Sequence, residues 1–173
     1  MKLTDAQIEY IVNSQKDGLC FLEEYDKKLV ERPSVPFDVS FLDVESVIGL
    51  HESLGMGDGL RSLDLLESAL SRARQASYYA SPTLQEMGAL IAEGIVRNHP
   101  FVDGNKRTAL LALCAFLATN GEPVPTDSKK TGSMILGLAT REITVEDVGK
   151  FLVLCEQEYL KLPRQEKEHT MIL

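Results

Sequence analysis

Between His99 and Arg107 the chain reads HPFVDGNKR, which sets an imidazole, a carboxylate, a glycine, an amide and two cations in one short run. Each of these types has a chemistry. Histidine titrates nearest neutrality and is the side chain best matched to general-base work, although a histidine before proline also serves simply to cap a helix end. Asp103 is a hard oxygen ligand of the kind Mg²⁺ takes beside substrate phosphates; taken alone, it would equally well cap a helix start. Gly104 lets the backbone come close to a ligand, and the amides from Gly104 to Arg107 are the unsatisfied donors of a helix start, which cradle phosphate oxygens. Asn105 adds side-chain amide donors, Lys106 a point charge, and Arg107 a planar fork suited to bidentate phosphate contact.

Lys106 and Arg107 open a long apolar helix, where the macrodipole already places partial positive charge. Cations there cost electrostatic energy unless an anion sits with them. A solvated face or a salt bridge accounts for either cation singly, but not for both at the wrong end of a helix beside a base and a carboxylate. The combination favours phosphoryl or nucleotidyl chemistry, with the missing anion a nucleotide phosphate.

The elements that must position this run are helical. His99-Pro100 ends the helix before it, because a residue preceding proline is pushed out of the α region. That helix carries Leu84, Met87, Leu90, Ile91 and Ile95 on one face, and Ser81-Pro82 is read as its start, with proline in the first turn. The helix after the run begins at about Gly104, sets Ala109, Leu110, Leu113, Cys114 and Leu117 on one stripe, and stops at Asn120-Gly121. Upstream, Leu42 to Leu54 has helical spacing at Val44, Val47, Ile48 and His51, GMGDG is a loop, and Ser62 to Ala76 is helical again. Downstream, helices are expected over Lys129 to Thr140 and from Thr144, capped with Asp147, to about Leu162. Short extended pieces are expected only near Ser77 to Ala80 and Glu122 to Pro125.

The chain of 173 residues, 44% hydrophobic, suits one domain with a sizeable core. A capping box at Thr4 and Gln7 opens a helical N-terminal extension over residues 1–40, interrupted at Gly18 and stopped by Pro33 and Pro36. A domain over 41–162 follows, and a charged tail over 163–173. The fold class is all-α, with about seven or eight helices and room for a short β-hairpin flap. A net charge of −8 argues against a nucleic-acid-binding surface, which would need Lys and Arg to neutralise phosphates. Cys20, Cys114 and Cys155 are widely spaced among apolar residues and read as buried reduced thiols. No segment approaches the roughly 20 apolar residues of a membrane span, and the start lacks a signal-peptide core, so a cytoplasmic protein is expected.

At His99–Arg107 the sequence resembles the Fic/Doc family, whose Fic members carry H-P-F-x-[D/E]-G-N-G-R-x-x-R. His99, Pro100, Phe101, Asp103, Gly104, Asn105 and Arg107 match in register. The likeness runs from about Val44 through Phe151, and LATNGEPV and TREITVEDVGKFL look like the small Doc (death-on-curing) toxins. It implies His99 as the base for a target hydroxyl, Asp103 as the Mg²⁺ ligand, and Gly104, Asn105, Lys106 and Arg107 as the phosphate site. Lys106 stands where Fic adenylyltransferases have a second glycine, and Leu110 where they have a second arginine, both features that help hold ATP for AMP transfer. NKRTAL is instead similar to Doc proteins, which bind the nucleotide reversed and phosphorylate elongation factor Tu, although Gly104 departs from the alanine of the phage-type toxin.

The resemblance therefore implies a kinase toxin using ATP, or another nucleotide, with Mg²⁺. It also implies a protein substrate and a cognate antitoxin; a homo-oligomer is open. The self-restraining [Ser/Thr]-x-x-x-Glu-[Gly/Asn] helix of some Fic proteins is absent from this sequence. AMP transfer and a catalytically silent binding module are the alternatives. Ser71 to Thr83 lies where the family keeps a flap that aligns a target peptide by strand addition. Ser77, Tyr78, Tyr79 and Ala80 are its candidate docking residues, an ordinary interhelical loop being an equal reading.

Overall fold

The computed structural model describes residues 39–55, 59–122 and 128–161, and within them the chain forms six helices and no strand. These are α1 (Val44–Glu52), α2 (Leu63–Tyr79), α3 (Leu84–Asn98), α4 (Asn105–Thr119), α5 (Ser128–Thr140) and α6 (Val145–Lys161). The all-α expectation holds. The helices expected in the N-terminal extension, Cys20 and the charged tail lie outside the described residues.

Local chemistry sets most helix starts. Asp43 accepts the Ser46 amide at the head of α1, and Ser62 accepts that of Leu65 at the head of α2. Thr144 and Asp147 form the expected cap of α6, with the Thr144 amide on the Asp147 carboxylate and the Asp147 amide on the Thr144 hydroxyl. The start of α3 differs from the sequence reading. Thr83 and Glu86 form a reciprocal capping box, so the helix begins at Leu84. Pro82 is left outside it, after a left-handed Ser81 (φ 46°). The box satisfies two orphan amides, whereas a proline in the first turn merely lacks one.

Helices α3 and α4 are the centre of the molecule, packed on each other, with α2, α5 and α6 also against α3 and α1 and α5 against α4. The reading of α4 as a single apolar stripe is too narrow. Leu111, Ala112, Ala115, Phe116 and Ala118 are buried as well, so the helix is covered on nearly all sides. Cys114 is inside this core as expected, whereas Cys155 is only half-buried. Close packing of α2 on α3 requires Gly94, because a Cβ there would lie 2.8 Å from the backbone Cα and O of Ala69.

The extended piece expected at Ser77 to Ala80 is instead the last turn of α2. The Ala80 amide closes on the Ala76 carbonyl at 2.9 Å and the Ser77 hydroxyl donates to the Arg74 carbonyl, continuing the helical ladder. Glu122 has no regular structure and its carboxylate accepts from Gln85 Nε2; residues 123–125 lie outside the described part.

Candidate active site

The run from His99 to Gly104 joins the two central helices, and its shape is held from three directions. His99 ends α3 in the left-handed region (φ 49°, ψ 58°), a conformation that costs a β-carbon-bearing residue about 1–3 kcal/mol. The flanking carbonyls are tied down: Asn98 O accepts from the Arg61 guanidinium at 2.9 Å, and Pro100 O accepts the amides of Arg61 and Ser62. The Val102 amide donates to Gly59 O, and Leu60 faces Phe101 in an antiparallel bridge. Residues 59–62 thus brace the corner that presents His99.

The second hold is Asn105. It is buried, its Oδ1 accepts the Phe101 amide at 3.0 Å, and its Nδ2 donates to the Phe101 carbonyl at 2.8 Å. Oδ1 and one of the two Nδ2 hydrogens are used on the loop, so Asn105 shapes the site; the sequence reading made it a phosphate donor, a role these two bonds do not themselves supply. The third hold is internal: Phe101 is fully buried as the loop's anchor, and beneath it His51 stacks on its ring at a 4.0 Å centroid distance.

What the loop presents is polar and exposed: His99, Asp103, Lys106 and Arg107 all face solvent. Asp103 Oδ1 accepts the Gly104 amide at 2.6 Å. Gly104 is the residue at the head of α4, left-handed at φ 73°, as glycine allows. No side chain caps this helix and no acidic residue stands in its first turn. The amides of Asn105, Lys106 and Arg107 therefore lack an intrahelical partner, and among the described residues neither cation is in an ion pair. The neighbouring arginines are different. Arg72 and Arg97 share the mostly buried Glu93 carboxylate at 3.2 and 2.9 Å. Arg72 and Arg97 are neutralised by protein, whereas among the described residues Lys106 and Arg107 are not, an arrangement that can receive an anion.

Among the described residues no three His, Cys, Asp or Glu side chains converge into a metal cage. Asp103 supplies a single carboxylate, whose Oδ2 accepts no hydrogen bond among those residues. This suits Mg²⁺, which commonly takes one or two carboxylates and completes its shell with substrate phosphates and water.

The proposed flap residues are not gathered into this loop. Tyr78 and Tyr79, 77% and 90% exposed, end α2, and Ala80 is its C-cap. Conversely, the sequence reading passed over His51, Thr108 and Arg61, which hold the loop. The signal for His51 was an imidazole on the apolar face of α1 beside Val47 and Leu50. The signal for Thr108 was a hydroxyl one turn beyond Gly104.

The Fic/DOC family model matches residues 41–117, which contain the whole loop and both central helices up to Leu117. The chain is 34% identical over 116 residues to the Toxin Doc of Mycolicibacterium smegmatis, an alignment covering 63% of this chain and 88% of the relative. It is also 34% identical over 113 residues to the Protein kinase doc of Escherichia phage P1, covering 62% and 89% respectively. With relatives matched over most of their own length and the motif loop inside the family match, the chain belongs to the Fic/Doc family and is Doc-like within it.

Proposed function

We propose that this protein is a cytoplasmic Doc-like toxin that transfers the γ-phosphate of ATP to a protein hydroxyl, on a translation factor such as elongation factor Tu, and so arrests translation. The observation that carries this reading is the uncapped, doubly cationic N-terminus of α4 beside an exposed histidine and an exposed carboxylate. The name of the phage relative, Protein kinase doc, supports phosphotransfer, and that of the mycobacterial relative supports a toxin whose partner is a cognate antitoxin. Leu110 adds a reason to prefer phosphate over AMP transfer: its side chain packs against the core where an adenylyltransferase would extend an arginine. No helix among the described residues is long and apolar enough to cross a membrane.

Phosphoryl transfer asks mainly for positioning and charge stabilisation. In this reading His99 accepts the proton of the target hydroxyl as its oxygen bonds to the γ-phosphorus, and the bond to the bridging oxygen breaks to release ADP. The α4 amides, Lys106 and Arg107 hold the phosphate oxygens and the charge that develops on them. Asp103 would hold Mg²⁺, which supplies further neutralisation of that charge when bound.

The test is incubation of the protein, with His99→Ala as control, in bacterial lysate containing Mg²⁺ and ATP labelled at the α or the γ phosphate. Label from the γ position alone, lost in the variant, is the expected result, and the labelled band identifies the target. Label from the α position would replace the proposal with AMP transfer. Absence of both labels, with toxicity in cells undiminished by His99→Ala, would replace it with a binding module.

A further inference from the structure

We propose that His51 is a positioning residue of the catalytic loop: a neutral imidazole carrying its proton on Nδ1, it fixes Phe101 by stacking and Gly104 through Thr108. The catalytic consequence rests on the phosphotransfer reading; the positioning itself does not.

The hydrogen-bond accounting points to one tautomer. His51 Nδ1 lies 2.9 Å from Thr108 Oγ, and that hydroxyl donates to the Gly104 carbonyl at 3.1 Å. A threonine hydroxyl has one hydrogen. With it spent on Gly104, Thr108 can only accept from His51, so Nδ1 bears the proton and Nε2 is bare. The surroundings of Nε2 agree. It is buried, has no hydrogen-bond partner among the described residues, and faces Gly59 so closely that any β-carbon there would overlap it. A proton added at Nε2 would be buried with no acceptor among the described residues. Accordingly, burial pushes the imidazole below its ordinary range, with Arg107 acting the same way and Glu52 and Asp103 opposing.

Packing alone does not account for an imidazole here. His51 is 1% exposed, and a leucine would fill the space without stranding a nitrogen. What the imidazole adds is the relay from Nδ1 through Thr108 to Gly104, the left-handed residue that heads α4 and precedes the unpaired amides. Its ring meanwhile covers Phe101, whose backbone Asn105 holds. One buried side chain of α1 thus contacts both ends of the turn that carries Asp103, through Phe101 and through Thr108.

The experiment compares three variants of the full chain. His51→Asn keeps a donor near the Nδ1 position and loses the ring; His51→Leu fills the space and loses the donor; Thr108→Val breaks the relay with little change in shape. Kinetics with ATP, Mg²⁺ and protein substrate, melting temperatures and ¹⁵N spectra of the histidine ring and backbone amides are recorded for each. The wild-type ring spectrum should give the neutral Nδ1–H form. His51→Leu and Thr108→Val should lower kcat roughly 10- to 100-fold with KM for ATP nearly unchanged, and shift the amide resonances of Gly104 to Arg107. His51→Asn should melt below His51→Leu yet turn over faster. An Nε2–H ring, kcat that simply follows melting temperature across the variants, or unmoved Gly104–Arg107 amides would overturn the proposal. Should the wild type show no turnover with ATP, the phosphotransfer reading fails, while the ring and amide spectra still decide the positioning.

Discussion

At the scale of single residues, the division is between side chains spent on the loop and side chains the loop presents. Asn105, Thr108 and His51 are buried and bonded to protein; His99, Asp103, Lys106 and Arg107 are exposed. The two groups should respond differently to substitution. Asp103→Asn retains the Oδ1 that accepts the Gly104 amide, so its melting temperature should stay near wild type while Mg²⁺-dependent label transfer is lost. Turnover equal to wild type would remove Asp103 from the chemistry. Asn105→Ala should do the reverse, orphaning the buried amide and carbonyl of Phe101. A stability loss of about 1–3 kcal/mol is expected by denaturant titration, with weakened turnover in the fraction still folded. Asn105 also shows what motif reading leaves open: spacing places it in this loop, but whether its donors face a ligand or the loop itself depends on how the turn closes.

Helices meet this site through their ends, and their packing fixes where those ends lie. The C-terminus of α3 and the N-terminus of α4 converge because both helices lie in the core and residues 59–62 tie the turn between them. Glycines in α3 test that geometry in contrasting ways. Gly94→Ala would press a methyl against the Ala69 backbone of α2 at 2.8 Å, and a loss of about 1–3 kcal/mol is expected. Gly88→Ala meets only side chains, at 3.5 Å or more, and should be neutral or stabilising by about 0.4–1 kcal/mol through helix entropy. Thermal melts of the two proteins separate these outcomes; equal effects would mean that α2 and α3 have room to part. Such a close approach has no signature in a single sequence, since a glycine within a helix pattern reads equally as a packing device or a weak position.

Taken whole, the molecule carries net charge −8 yet exposes two adjacent cations at the head of a buried helix, so attraction at this site is local and opposes the overall charge. Its pH dependence should also bear the mark of His51. Burial lowers that imidazole's pKa, so below the free value of about 6.5 the unfolded chain binds the proton more readily than the folded one. The sign follows: this contribution to stability is complete above about pH 6.5 and is lost as pH falls toward the depressed folded value. Denaturant midpoints measured across that range should decline for wild type and decline less for His51→Leu; identical profiles would show that His51 does not titrate differently on folding. The sequence by itself determined the helical class, from apolar periodicity bounded by caps, and the chemical content of the site, because His99 to Arg107 are contiguous and their residue types carry their own reactivity. Only the tertiary structure decided that Ser77–Tyr79 complete a helix, that Asn105 serves the loop, and that His51, Thr108 and Arg61 hold it. Those roles arise where segments distant in the chain compete for the same hydrogen-bonding groups, and burial settles that competition only after the helices pack.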